Sequence, residues 1–266
     1  MNILNQRILI TGAAGGIGSE LALALADKGA ELTLVDRNTE KLESLTQGIR
    51  TRNGKAHSIV CDLAATGSPD LLAEQAAACM GGVDILLNCA GIASFGLFAD
   101  QPVQNAETLW RINVMAPMQL TRALLPQMTQ RGHGLIVNVG SVFGSIGFAY
   151  FTDYSASKFA MRGFSEALRR ELQDTGVKVT YVAPRYTRTP LNDGLVSQMA
   201  KVVGMNSDEP SVVAKHVVRA IEKGSKDYYI GWPESVFVRI NGALPRLVDI
   251  ALRKQNTQMR DFAVLG

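Results

Sequence analysis

Cysteine and histidine are scarce in this chain, with three of each among 266 residues, and neither set has ligand spacing. Cys61, Cys79 and Cys89 form no CxxC pair, and His57, His133 and His216 stand far apart. That argues against a zinc site and a disulfide framework, and reduced thiols in a cytoplasmic protein are expected. No apolar run is long enough to span a bilayer. The opening MNILNQRILITG lacks the basic region, hydrophobic stretch and cleavage site of a secretory signal, so none is expected. The net charge of +3 comes from scattered residues, with no lysine- or arginine-rich block to mark a nucleic-acid footprint. Long polar and single-residue tracts are also missing, and 47% of the residues are hydrophobic, ample for a large core.

What is present is an alternation. Short runs of Ile, Val and Leu at 7–11, 31–36, 57–62, 84–90, 134–141, 177–184 and 227–231 lack strict polar alternation, as strands buried on both faces do. Between them lie helical patterns at 18–28, 39–53, 69–80, 103–130, 154–174 and 211–223. Repeated β-α-β order implies an α/β fold: one doubly wound domain with a parallel sheet of about seven strands and helices on both faces. Residues 185–210 look irregular and too long for an ordinary connection, which suggests a functional loop.

The first strand ends in TGAAGGIG, residues 11–18, and a helix follows. A glycine-rich turn at that place lets the backbone approach a diphosphate, which the helix N-terminus then stabilises. Glycine turns also occur for purely structural reasons. Asp36 ends the second strand about twenty residues further on, where a carboxylate can accept hydrogen bonds from an adenosine ribose. Its charge would repel a 2′-phosphate and so favours NAD; Arg37 beside it leaves NADP open. A second short stretch, YSASK, places Tyr154 and Lys158 about one helical turn apart on one face. By itself that pair is either an ordinary helix surface or a proton donor with its charge partner.

Taken in order, TGAAGGIG, CDL at 61–63, NCAG at 88–91, Asn113 in RINV, Ser141 in NVGS, YSASK and Pro184 at a strand end resemble the short-chain dehydrogenase/reductase superfamily. The resemblance runs from Thr11 to about Gly231. It implies an NAD(P)-dependent oxidoreductase interconverting a carbonyl and a secondary alcohol. It implies Tyr154 as general acid/base, with the Lys158 ammonium and the charge of oxidised nicotinamide together lowering the Tyr154 pKa, and Lys158 holding the nicotinamide ribose. Ser141 would bond the substrate oxygen, and Asn113 would anchor a relay water. Around the dinucleotide the resemblance places Gly12, Gly16, Ile17, Gly18, Asp36, Arg37, Asp62, Leu63, Asn88, Ala90, Gly91, Pro184, Thr187 and Thr189, together with Tyr154 and Lys158. Asp62 would meet the adenine amino group, Asn88 would bridge strands, and Thr189 would hold the carboxamide. A homodimer or homotetramer is implied too, paired through the long helices. Ala160, Gly163, Phe164, Ala167 and Leu168 offer a surface for that pairing, or equally a cover for the sheet. The alternative from another class is a dinucleotide-binding sensor or scaffold without turnover.

Two departures bear on substrate. The sequence APRYTRTP, 183–190, has Arg185 where the family has glycine and Thr187 where it has an aliphatic residue. Arg185 either pairs with Asp193 in a solvated loop or, like Arg188, meets an anionic group. If Arg185 needs a glycine-like backbone, the site geometry departs from the family pattern. Beyond a catalytic domain at 1–231, residues 232–266 form an extension with apolar residues at helical spacing and basic residues nearby. Pro245 is expected to break or kink that pattern. Packing on the same domain or a partner is expected, with a weaker alternative of peripheral membrane contact through 232–255. The extension, with Leu191, Leu195, Val196 and Met199 in the loop, suggests a lipophilic acyl-chain or steroid-like substrate.

Overall fold

The computed structural model describes residues 1–265. Seven strands, β1 (Arg7–Thr11), β2 (Glu31–Asp36), β3 (Lys55–Val60), β4 (Ile85–Asn88), β5 (Gly134–Val139), β6 (Val177–Ala183) and β7 (Asp227–Tyr229), form one parallel sheet in the order 3-2-1-4-5-6-7. The order reverses between β1 and β4. At such a point the helices that follow the two strands leave to opposite faces and open a crevice beyond the strand ends.

The strands carry no polar alternation because both faces are covered. Ile8 and Ile10 of β1 and Leu32 and Leu34 of β2 pack with Leu21 and Leu25 of α1 (Gly16–Ala26), Leu42 and Ile49 of α2 (Thr39–Arg50), and Val213, Val217 and Ile221 of α8 (Pro210–Lys223). Leu9, Val35, Leu86 and Ile136 point the other way. They meet α3 (Ser68–Met80), α5 (Ala116–Gln130) and α6 (Thr152–Glu171). Each fully buried aliphatic side chain contributes about 1.5–3 kcal/mol.

Several expectations need correction. The third strand was expected at 57–62 and lies at Lys55–Val60, because this edge strand is half exposed and carries no continuous apolar run. The helix expected at 103–130 is α4 (Val103–Trp110) and α5 joined by a widened π-type turn, Arg111–Met115. Residues 185–210 are only partly irregular: a short turn, Pro190–Asn192, and α7 (Leu195–Val202) lie within them. Pro245 breaks the pattern, as expected, without kinking a helix. It begins one, so the tail forms α9 (Glu234–Ala243) and α10 (Pro245–Ala263). Val238 and Val248 from these helices pack on Val142 and Ile146, while Met259 meets Phe151 and Met199. Gly266, the last residue of the expected extension, lies outside the described residues. On α6, Leu168 is buried in the domain's own core and Phe164 packs against it; Phe159, Gly163 and Ala167 face outward.

Candidate active site

Two adjoining cavities occupy the crevice above β1, β4 and β5. The first, about 290 Å³, is lined by Gly12, Gly16, Ile17, Gly18, Asp36, Arg37, Asp62, Leu63, Ala90, Gly91 and Thr189 among others. The second, about 100 Å³, is lined by Ser141, Tyr154, Lys158, Pro184 and Thr187, and shares Ile17, Cys89, Gly91, Thr189 and Leu191 with the first. Sixteen of the sequence-derived residues thus meet around one crevice, and Asn88 and Asn113 stand behind it.

The glycine turn is close-packed. Gly12 has φ +68°, and a Cβ there would lie 2.7 Å from the Ala90 Cα. A Cβ on Gly18 would lie 2.1 Å from the Gly12 carbonyl oxygen. Thr11 ties this turn to β4, its Oγ1 accepting from the Cys89 and Ala90 amides at 3.1 and 3.2 Å. α1, with Gly15 as its N-cap, has no side-chain cap and no acidic residue in its first turn. Its free amides therefore face the first cavity unneutralised, as a diphosphate requires. The carboxylate of Asp36 accepts from the Ala14 amide at 3.1 Å and the Asn38 amide at 3.0 Å. Both oxygens are held, so it does not turn aside from Arg37. A dinucleotide fits this donor set, with the turn taking its diphosphate.

In the second cavity, β5 delivers Ser141 and α6 delivers Tyr154 and Lys158. Ser141 Oγ accepts from the Phe143 amide at 3.1 Å, which leaves its own hydrogen to donate. Tyr181 clamps the same residue: its hydroxyl donates to the Ser141 carbonyl at 3.1 Å and accepts from the Ser141 amide at 3.3 Å. The Lys158 ammonium lies 5.5 Å from the Tyr154 ring centroid and donates to the Val139 carbonyl at 3.3 Å. Phe143 and Phe151 pack edge-on against the Tyr154 ring.

This apolar packing works against the expected lowering of the Tyr154 pKa. Burial pushes the Tyr154 phenol up to about 12, opposed by the Ser141 hydroxyl, so in the protein alone Lys158 does not bring it below its ordinary value. Burial instead brings Lys158 down to about 8. The side chain that yields is the lysine: its burial is the main cause, and among the described residues no carboxylate pairs with its ammonium.

Asn113 sits in the π-type turn, 2% exposed. Its Oδ1 accepts from the Ile92 amide, and its Nδ2 donates to the Ile92 carbonyl and to Ser157 Oγ, all within 3.1 Å. Both side-chain donors are spent, so a relay water at Asn113 would have to donate to the second lone pair of Oδ1. Ser157, missed in the sequence because it is one of two serines inside YSASK, donates to the Tyr154 carbonyl at 2.7 Å and completes the link. Asn88 lines neither cavity. Its Nδ2 donates to Asn138 Oδ1 at 2.8 Å, bridging β4 and β5, and Asn138 passes the link to Ser165. Thr187 Oγ1 donates to the Arg185 carbonyl.

Arg185 does not pair with Asp193. It forms a two-pronged pair with Asp208 at 2.9 and 2.8 Å and a further one with Glu234 of α9 at 3.1 Å. Its backbone lies outside the positive-φ region, so it does not need a glycine-like conformation. Arg188 pairs with Glu209.

The family model for short chain dehydrogenases matches residues 6–200. A ketoacyl reductase, HetN, of Nostoc sp. is 34% identical over 86% of this chain and 79% of its own length. The 3-ketodihydrosphingosine reductase of Bos taurus is 33% identical over 84% of this chain and 70% of its own. Among solved structures, a short chain dehydrogenase from Burkholderia cenocepacia in complex with NADP superposes with TM-score 0.79 and 26% identity, covering 88% of this chain and all of that one (100%). One from Burkholderia phymatum in complex with NAD reaches TM-score 0.85 at 21% identity over 93% of this chain and 96% of that one, a likeness of fold.

Proposed function

The chain belongs to the short-chain dehydrogenase/reductase family, and from that premise we propose that it interconverts a ketone on a lipophilic, acyl-chain-like substrate and its secondary alcohol, with NAD preferred. Membership makes it an oxidoreductase of C=O and CH–OH groups that works with a nicotinamide dinucleotide, in place of a sensor without turnover. The observation that carries the finer reading is the meeting of Ser141, Tyr154 and Lys158 in one cavity that opens onto the glycine turn.

When bound, the dinucleotide supplies or accepts the hydride. Tyr154 donates its phenolic proton to the carbonyl oxygen in reduction and recovers it in oxidation. Ser141, held by Tyr181 and by the Phe143 amide, donates its free hydrogen to the same oxygen as negative charge develops there. Lys158, 5.5 Å from the phenol ring, stabilises the phenolate left behind and is placed to hold the nicotinamide ribose. Asn113 positions this machinery through Ser157. Thr189 and Pro184 would contact the nicotinamide end and Asp62 the adenine end.

Asp36 supports NAD, since its two held oxygens keep a negative charge where a 2′-phosphate would sit. Arg37 and Lys41 line the same end, so the choice is read directly from NADH and NADPH affinities. Support for a lipophilic substrate comes from Phe143, Phe151, Val196, Met199 and Met205 around the catalytic cavity and from the likeness to a ketoacyl reductase and a 3-ketodihydrosphingosine reductase. We further propose that the outward stripe of Phe159, Gly163 and Ala167 on α6 pairs with a second copy of the chain. The test of function is NADH and NADPH oxidation against ketones from small diketones to long 3-oxoacyl thioesters. Preference for small polar sugars over the long-chain ketones would overturn the substrate class.

A further inference from the structure

The catalytic cavity, about 100 Å³, has room for little more than a small carbonyl group. Beside it, under the two C-terminal helices, lies a larger cavity of about 510 Å³, within the roughly 300–1,000 Å³ of ordinary ligand sites. The two share Phe143, Arg185, Tyr186 and Met205 as common walls. We infer that this second cavity is a separate subsite for the aliphatic tail of the substrate, reached from the catalytic cavity past Phe143 and Met205. The inference rests on the proposed ketone chemistry and adds where the rest of the substrate goes.

Three observations carry it. First, Phe143 stands between the two spaces: one face stacks on Phe148 at 4.3 Å and 12°, and its edge meets Tyr154 at 5.9 Å. Phe143 is therefore a wall common to the space at Tyr154 and to the second cavity. Second, the walls beyond that ring are apolar, with Ile146, Val248 and Leu252 among them. The charge at the boundary is already neutralised, since Arg185 is tied to Asp208 and Glu234. Third, the far rim is polar, made by Lys254, Gln255 and Gln258 of α10, so an apolar occupant ends at water. Met205 at the passage is a flexible thioether that can yield to a threading chain. A fused-ring ligand would not bend past it, which points to a single flexible alkyl or acyl chain.

The test separates this subsite from the chemistry. Calorimetry would measure binding of saturated N-acetylcysteamine thioesters of four to ten carbons, which carry no reducible ketone. In the wild type each added methylene should tighten binding about fourfold until the cavity is full, from about 0.8 kcal/mol per buried methylene. Ala251 lines the cavity from an exposed helix face, so Ala251→Trp should fill it and flatten the series while leaving the four-carbon ligand unchanged. Ala251→Leu, a smaller filler, should level the series off at a shorter chain. A flat series in the wild type, or an equal loss for short and long ligands in both variants, would overturn the subsite. The matching 3-oxo thioesters, followed by NADH oxidation, report on the ketone reading alone. Chain-dependent binding without turnover would leave the tail subsite standing and remove that chemistry.

Discussion

The methyl group of Thr189 lies 2.7 Å from the point where a Cβ on Gly16 would stand. The dinucleotide turn and the segment that closes over the substrate therefore touch, and the missing side chain at Gly16 is what lets them. Gly16→Ala should push Thr189 outward and weaken dinucleotide binding about tenfold, in line with the 1–3 kcal/mol usual for overpacking. Gly18→Ala should be worse, since its Cβ would meet the Gly12 backbone at 2.1 Å. Soluble yield and dinucleotide titration distinguish the two.

Tyr154→Phe keeps the ring that packs on Phe143 and Phe151 but removes the proton. Turnover should fall by about 10²–10⁴-fold with the melting temperature unchanged. Retained NADH binding, seen by fluorescence titration, would place the loss in chemistry.

Lys158 titrates near 8 in the protein alone while Tyr154 holds its proton to about 12. The value of kcat/KM for the dinucleotide, which reports the free enzyme, should therefore decline above pH 8 and not wait for the phenol. A profile flat to pH 10 contradicts this.

The same lysine opposes folding. Its folded pKa is depressed from 10.5 to about 8, so the cost is fully present below 8 and is relieved as pH rises towards 10.5. Lys158→Met should raise the melting temperature of the ligand-free protein by a few degrees at pH 7, from at most about 3 kcal/mol, and abolish turnover. At pH 9.5 the gain should shrink. Calorimetric scans at the two pH values decide it.

Arg185→Ala leaves Asp208 and Glu234 without their cation and unties α9 from the segment before α8. It should cost about 2–3 kcal/mol and expose 232–263 to proteolysis. Adding Asp208→Ala should cost less than the sum of the separate losses, as expected for partners in one network.

Phe159→Glu, on the outward stripe of α6, should shift the protein to a monomer by light scattering without loss of secondary structure. An unchanged mass would remove that face from the assembly.

Much of this was legible in advance where residue type and conformation are tightly linked. The buried Ile, Val and Leu runs gave the sheet because both of its faces are covered, and TGAAGGIG and YSASK kept their places on turn and helix. β3 was misplaced because its exposed alternation weakens the apolar signal. α7 was hidden by the prolines and glycines around it, although Leu195 and Met199 already stood one turn apart. Which carboxylate meets Arg185, and which way the phenol of Tyr154 shifts, depend on what lies across the crevice. Asp208 is 23 residues away and Phe143 enters from another element, so neither is encoded locally.

The widened turn at Arg111–Met115 also works as a phase shifter. An α-helix advances about 100° per residue, and a turn that takes in one more residue offsets everything after it by that angle. Asn113 can face Ile92 and Ser157 while Leu120 and Leu124 further along still face the sheet. Deleting a single residue within 111–115 would restore ideal helix geometry with Leu120 and Leu124 still in register, but would lose the offset that turns Asn113 towards Ile92 and Ser157. The long helix would then tolerate substitutions far better than it tolerates a change of length.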